Sequence, residues 1–402
     1  MHERKWNRDA KFALEFSKFC VWPIGLWPLD SETLSSRIRA LYSFTTQIWM
    51  IGAQSAAAYL NCGSEEDNVD YVMMAVCAVM ALSKIVAFRL HSREMRFVLA
   101  SVEDDLLAVT EDDTRRVVRP FVKKGRTVFY IQMIFSYMTS AIIVISALPI
   151  FMPPADPVNG NNTLDSTPLR QLPLQTGCMF AGFRDGIYAS MYVYEITVIL
   201  VAQHGNVGSD VFIFALAMHL CSQIELLKIK LAKIGTISEE PLDDWRPRIV
   251  GYIQRHVGIL KLIRTFNESL STMLAIQIIL NAGMNLMLGL RVIMAIKSGV
   301  LEDAVRPIFA FIVLMLQLYL MCYAGDRISH QAKSILDAIY DSYWFKLPTK
   351  LRQDLYYVAM RANKPVYLMA GNLMAINLEN FKRVLKASFS YFSILQMMFE
   401  AE

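Results

Sequence analysis

Residues 186–224 read GIYASMYVYEITVILVAQHGNVGSDVFIFALAMHLCSQI, a stretch without lysine or arginine in which Glu195 and Asp210 are the only acids. At about 1.5 Å per residue, one helix of this length runs well past a ~30 Å hydrocarbon core. The stretch is either two membrane spans or one helix that leaves the bilayer, and the charge behind it decides between them. Lys228, Lys230, Lys233, Arg246, Arg248, Arg255, Lys261 and Arg264 follow. Splitting the block would place all eight outside. Keeping it whole places them inside, where lysine and arginine concentrate.

Outward from this block, six more uncharged or nearly uncharged stretches have spanning length. They are Ala40–Ser64, Tyr71–Phe88, Thr127–Phe151, Ser269–Leu290, Pro307–Gly325 and Leu378–Phe399, the last with Glu379, Lys382, Arg383 and Lys386 packed at its start. Lys84 lies near the end of the second, where its ammonium can snorkel to the boundary. Seven spans with an inside N-terminus give a consistent charge pattern. The inner segments 1–39, 89–126, 225–268 and 326–364 hold seven, nine, eight and seven Lys and Arg. The outer loops are poor in them: none in 63–70, two in 151–185 and three in 291–306. The expectation is an all-α membrane protein of seven transmembrane helices, N-terminus cytoplasmic and C-terminus extracellular. It comprises a cytoplasmic segment 1–39, six helices over 40–325, cytoplasmic anchor helices over 326–377 and a last helix over 378–402. In 10–30 the pattern reads as a helix and turn on the cytoplasmic face, with Trp22 and Trp27 as interface residues. The sequon Asn161-Asn162-Thr163 falls in an outer loop, which makes Asn161 a glycosylation candidate.

Composition narrows the functional class. Of 402 residues 54% are hydrophobic and 19% charged, against about 25% charged in soluble domains. Disorder, a collagenous repeat and a secreted disulfide scaffold are excluded. A net charge of +4 implies no nucleic-acid surface. The six cysteines form no C-x-x-C pair and read as buried thiols, although Cys62 and Cys178 both face outside in this topology and a bridge between them stays open. No phosphate-binding, metalloprotease, nucleophile-elbow or calcium-loop motif is present, and the six histidines do not cluster. No enzyme, cofactor or metal site is expected. No inverted repeat of the transporter kind is visible either.

Polar residues inside apolar blocks mark candidate sites. Tyr188, Met191, Tyr192 and Glu195 share one helical face, either as an aromatic-lined pocket with a polar anchor or with Glu195 as a paired carboxyl joining two helices. Gln277, Asn281 and Asn285 form a stripe suited to interhelical hydrogen bonds or to lining water. Lys386, Ser390, Ser393, Met397 and Glu400 lie on one side of the last helix. That side either encloses a water path with copies of itself around a symmetry axis or is buried within the same subunit. Basic amphipathic stretches at 224–234, 244–264 and 326–346 extend the neighbouring spans into the cytoplasm.

The C-terminal run Leu347-Pro-Thr-Lys-Leu-Arg-Gln-Asp-Leu, Met360-Arg-Ala-Asn-Lys-Pro, Ala370-Gly-Asn and Leu378-Glu-Asn-Phe-Lys-Arg-Val-Leu-Lys-Ala-Ser-Phe-Ser-Tyr-Phe-Ser-Ile-Leu resembles the insect odorant receptor family in order and spacing. Gly25-Leu-Trp-Pro and the number of spans agree with it. The resemblance implies a tetrameric, odour-gated, non-selective cation channel in which a tuning subunit joins a common co-receptor. Lipid surrounds the assembly, in the plasma membrane of an olfactory neuron's dendrite. The short inner segment after Lys233 favours the tuning subunit over the longer co-receptor. Carried over by position, Ser390, Ile394 and Met397 line the pore, with Ile394 at the hydrophobic gate. The family's pocket places Tyr71, Met74 and Cys77, then Thr139 and Ile143, then Tyr188, Met191, Tyr192 and Glu195, then Phe309, Ile312 and Val313 around a small volatile odorant. A seven-helix G-protein-coupled receptor would carry the opposite orientation, and a transporter would show uptake rather than ligand-gated current.

Overall fold

Asn7 accepts the amide of Ala10 at 2.7 Å and caps α1 (Arg8–Val21), an interaction worth about 1 kcal/mol. A computed structural model describes residues 6–63, 65–148, 172–180, 185–235, 242–297 and 301–400. Asn161 lies outside them. After a short 3-10 turn the chain continues through α2 (Leu34–Tyr59), α3 (Glu65–Leu90), α4 (Ser92–Leu107), α5 (Asp112–Ser146) and α6 (Asp185–Gln203). Then come α7 (Ser209–Ala232), α8 (Leu242–Lys297), α9 (Leu301–Tyr340), α10 (Thr349–Asn363) and α11 (Leu378–Glu400). A two-residue hairpin, β1 (Met369–Ala370) with β2 (Met374–Ala375), pairs antiparallel just before α11. Its turn is Gly371, at φ +56°, which glycine adopts without strain.

The 186–224 block is a single helical run. Between α6 and α7 only a π turn intervenes, at His204–Gly208, and helix continues to Ala232. Seventeen of the 24 residues of α7 are buried, and α5, α8, α9 and α1 pack around it. A helix covered on all sides is apolar all round, which accounts for a block longer than one bilayer crossing. Among the described residues five helices are long and apolar enough to cross a membrane, within 67–90, 112–146, 186–232, 245–297 and 307–340. The remaining two of the expected seven, α2 and α11, carry polar faces. Ser43, Thr46, Gln47 and Gln54 are buried on α2, and Lys382, Arg383 and Lys386 open α11.

The cytoplasmic extensions expected for the fifth and sixth spans are continuous with them, in α8 and α9. The N-terminal helix and turn also form. Their apolar residues, however, are part of the core: Leu14, Phe16, Val21, Ile24, Leu26 and Trp27 are buried. Trp22 remains exposed and lies under the Arg39 guanidinium, 4.0 Å from its ring centre. Gly25 makes this turn possible. It sits at φ +71°, and a Cβ there would meet Ser36 O at 2.4 Å.

Asp105 ties α4 to α7 and α8. Arg255 donates to its Oδ1 at 2.6 Å, and His219 Nε2 lies 3.3 Å from its Oδ2. Burial pushes this carboxyl up, but hydrogen bonding and charge from His219 and Arg255 outweigh it and hold Asp105 below the usual carboxylate range.

Candidate functional site

Two apolar clusters sit at the end of the bundle away from α1 and α4. In the first, α2 supplies Met50, α3 supplies Met74 and Ala78, α5 supplies Ile143 and Val144, and α6 supplies Tyr194, Val198, Ile199 and Ala202. Tyr194 meets Trp49 edge-on with ring centres 4.9 Å apart. The second joins Met73, Val76, Cys77 and Met80 of α3 to Leu280 and Met284 of α8 and Leu314 of α9. Methionine fills irregular gaps and repacks readily around different shapes.

Several residues singled out from the sequence converge here. Met74 and Ile143 share the first cluster, and Cys77 belongs to the second. The Tyr192 hydroxyl donates to Val144 O at 2.7 Å, which fixes its ring against α5. Tyr188 and Tyr192 have ring centres 6.3 Å apart. Phe309 lies 5.7 Å from Phe135, ring to ring, and Thr139 donates to Phe135 O at 2.8 Å. Tyr71 is buried, while Met191 and Val313 are half-buried. Ile312 is 56% exposed and stands apart from the clusters.

Glu195 is fully buried, and both its oxygens are engaged. One accepts Leu174 N–H at 2.8 Å and the other accepts the Thr176 hydroxyl. Gln54 of α2 donates to Leu174 O at 2.9 Å. Cys62 and Cys178 are disulfide-bonded, with Cα atoms 5.8 Å apart, so these two are not the buried thiols the sequence suggested. The bridge forms because Cys62 follows α2 directly and residues 172–180 return to the same helix end. The segment 172–180 is thus fastened to α2 and α6 and roofs the first cluster.

Below the clusters lies a polar centre. Lys84 Nζ contacts Asp210 Oδ1 at 2.6 Å and donates to Asn206 O at 2.9 Å. Gln277 donates to the other oxygen of Asp210 at 3.0 Å. Lys84 and Asp210 are each 2% exposed. Lys84 therefore does not snorkel: a partner in the interior is nearer than the boundary. The signal available in the sequence was a lone cation in one apolar block and two acids, Glu195 and Asp210, in another that has no lysine or arginine. The π turn also presents His204, whose Nε2 lies 2.9 Å from the Tyr137 hydroxyl and whose Nδ1 lies 2.8 Å from Cys20 O.

The last helix has two faces. Phe381, Val384, Leu385, Ser388 and Phe392 are half-buried, and α11 packs on α8 and α9. The other face carries Lys386, Ser390, Ser393, Ile394 and Met397, all exposed. Ile394 is 46% exposed and Met397 62%. The polar face is not buried within the subunit.

The family described as "7tm Odorant receptor" matches residues 66–389. Odorant receptor 2a of Drosophila melanogaster is 22% identical over 217 residues, 52% of this chain and 55% of that protein. The chain thus spans about half the length of that relative, and likewise of Odorant receptor 67a (54%). Odorant receptor 46a, isoform B, of the same organism is 20% identical and aligned over 94% of each chain. Among solved structures, the olfactory receptor OR5 from Machilis hrabei in complex with eugenol superposes with a TM-score of 0.76. The superposition covers 97% of this chain and all of that one at 12% identity. OR5 described without eugenol gives a TM-score of 0.75 at 13% identity, over 96% and 99% of the two chains. A family match across most of the chain and a shared helical fold lead to one conclusion: this chain belongs to the 7tm odorant receptor family.

Proposed function

We propose that this chain is an odour-gated, non-selective cation channel subunit, the tuning member of a tetramer with the family co-receptor. It sits in the plasma membrane of a sensory dendrite with seven spans and a cytosolic N-terminus. The uncovered face of α11 carries the reading. Lipid is a poor neighbour for Lys386 and Ser390, because charged and unpaired hydroxyl groups in hydrocarbon are costly. Copies of that face around an axis enclose water instead. Ile394, between Ser390 and Met397, narrows the path with an apolar ring that closes by dewetting. The odorant enters the outer clusters beneath residues 172–180, bounded by Tyr71, Met74, Cys77, Thr139, Ile143, Tyr188, Met191, Tyr192, Phe309 and Val313. Few polar directors and many methionines suit a small, mostly apolar volatile, as eugenol is for OR5.

Cysteine accessibility tests the pore. Ser390→Cys and Met397→Cys, each expressed with the co-receptor, are treated with an extracellular, membrane-impermeant cationic thiol reagent. Met397→Cys currents fall whether or not agonist is present. Ser390→Cys currents fall only during agonist application, because Ile394 bars the closed path. Modification of Ser390→Cys at equal rates in both conditions would place the barrier elsewhere, and no effect at either position would remove α11 from the conduction path. A G-protein-coupled receptor of opposite orientation would instead expose an N-terminal epitope on intact cells.

A further inference from the structure

Helices α5 and α9 both pack closely on α7 but hardly touch each other. Beyond the apolar part of the bundle they leave a groove of about 570 Å³ with α7 as its floor. The floor starts at Glu225, directly after the uncharged run of α7. The α9 wall starts at Arg327, two residues past the stretch that ends at Gly325. The groove therefore lies at headgroup depth, on the side that the charge pattern makes cytoplasmic.

Cations reach it from all three helices. Arg116 of α5, Lys228 of α7, and Arg327 and His330 of α9 line it. Lys124 reaches from α5 to the Tyr323 hydroxyl of α9 at 3.4 Å and crosses its membrane end. Glu225 is the one acid among the described lining residues, and it is already engaged, by Lys228 at 3.2 Å and by Gln331 Nε2 at 3.0 Å. Arg116 stands 3.7 Å from Asp113 on the exposed turn before it. Arg327 is half-buried, yet among the described residues it makes no ion pair and no hydrogen bond. A cation kept only to orient the chain in the membrane extends into water. One partly withdrawn from water without a partner is costly, so Arg327 points to an anion that arrives from outside.

Phosphate suits this set. A guanidinium binds it through two parallel hydrogen bonds, and a phosphomonoester brings nearly two charges and three acceptor oxygens. A headgroup with a single phosphodiester brings one charge to four cations. The membrane side indicates a lipid rather than a free phosphate. By helical period, Ile131, Ile134 and Met138 share the face of α5 that carries Pro120 and Lys124, and all three are exposed. They offer acyl chains an apolar track that runs from the groove into the bilayer.

We propose that this groove binds a phosphoinositide of the inner leaflet, with its phosphomonoesters on Arg327, Lys228 and Arg116 and its acyl chains along α5. The bound headgroup ties α5 to α9 across α7. Any effect on current rests on the channel reading, and the choice of leaflet rests on the cytosolic N-terminus. Binding in the groove rests on neither.

Binding is tested on the full-length protein in phosphatidylcholine nanodiscs that contain a diazirine-bearing phosphatidylinositol bisphosphate, with adducts located by mass spectrometry. Adducts are expected within 117–138 of α5 and 319–334 of α9. Unlabelled phosphatidylinositol bisphosphate competes at concentrations about tenfold or more below phosphatidylserine, because it offers the same cations more charge. Arg327→Gln weakens labelling by about tenfold or more, the worth of one charge-assisted hydrogen bond. It removes a side chain without a partner in the chain and so spares the fold. Arg327→Lys recovers part of the loss, and Arg116→Gln costs about fivefold. Arg264→Gln removes the same charge from an exposed position on α8 and leaves labelling unchanged. Equal losses from Arg264→Gln and Arg327→Gln, or equal competition by phosphatidylserine, would replace the site with general attraction to anionic lipid. Soluble inositol trisphosphate competing as well as the lipid would overturn the lipid assignment in favour of a free polyphosphate. Absence of adducts in the groove, as when a second copy covers it, would refute the site. Labelling reads binding without current, so failure here is distinguishable from failure of the channel reading.

Discussion

Replacing Lys84 by methionine leaves the Asp210 carboxylate in the interior with Gln277 as its remaining hydrogen-bond donor. The shape is nearly kept, since methionine matches the lysine stem, so the loss is electrostatic. Three contacts are at stake: the 2.6 Å pair, the 2.9 Å bond to Asn206 O and the polarised Gln277 bond. Both partners are 2% exposed, so water does not compensate. Removing one partner of such a pair costs about 3–5 kcal/mol. At roughly 2 °C per kcal/mol for a large chain, the melting midpoint falls by about 6–10 °C. Fluorescence-detected size-exclusion after heating measures it on small amounts of detergent-solubilised protein. Asp210→Asn lowers the midpoint comparably, because the ammonium is then unpaired. The double variant Lys84→Met/Asp210→Asn recovers much of the loss, because no uncompensated charge remains, and the coupling energy exceeds about 2 kcal/mol. A single variant as stable as the parent, or a double variant whose loss equals the sum of the singles, would show that the pair is not buried as described.

Cys62→Ser/Cys178→Ser opens a loop of 116 residues, for which chain entropy sets an upper limit of about 5 kcal/mol. The melting midpoint falls, and protease reaches 172–180 first; an unchanged midpoint would show that Glu195 and Gln54 suffice to hold the segment. Asp105→Asn tests the inner tie. A carboxyl held low contributes stability above its unfolded pKa, about 3.9, and loses it as the pH falls through the folded value. The variant is therefore less stable by about 1.5–3 kcal/mol at pH 7, and the gap between the two melting curves narrows as the pH falls below the unfolded value; a gap that acid leaves unchanged would contradict the tie. Tyr192→Ala shifts agonist potency by tenfold or more while currents from an agonist acting at the pore persist. Equal loss of both responses would argue that Tyr192 only supports the fold through Val144.

Helix content and the position of each apolar block follow from local chain properties. Hydrophobic residues in runs of about twenty form helices long enough to span a membrane in any context that removes them from water. Lysine and arginine counts between the blocks carry a further local signal, which kept 186–224 as one run, as the structure does. The turn within 10–30 was likewise legible, but the need for glycine at position 25 is visible only in the fold, where a Cβ would meet Ser36. Met74, Ile143, Tyr188 and Tyr192 fall close together because helical period places them on faces that α2, α3, α5 and α6 turn toward one another.

What the sequence could not supply was the identity of each neighbour. Transfer from water has nearly the same free energy into lipid as into protein interior, so hydropathy does not separate the buried α7 from a lipid-facing span. Lys84 and Asp210 are 126 residues apart, and Cys62 and Cys178 are separated by 116. Pairings at that range exist only once the helices are packed. Gln277 and Asn285 occupy the same stripe two turns apart, yet Gln277 Nε2 donates to Asp210 while neither amide atom of Asn285 is bonded. That difference arises because α7 brings Asp210 beside the first, while apolar neighbours surround the second. The chain's own pattern determined that it is a bundle of membrane-length helices. The packing of those helices decided which polar side chains were satisfied within the subunit and which were left on the open side of the last helix.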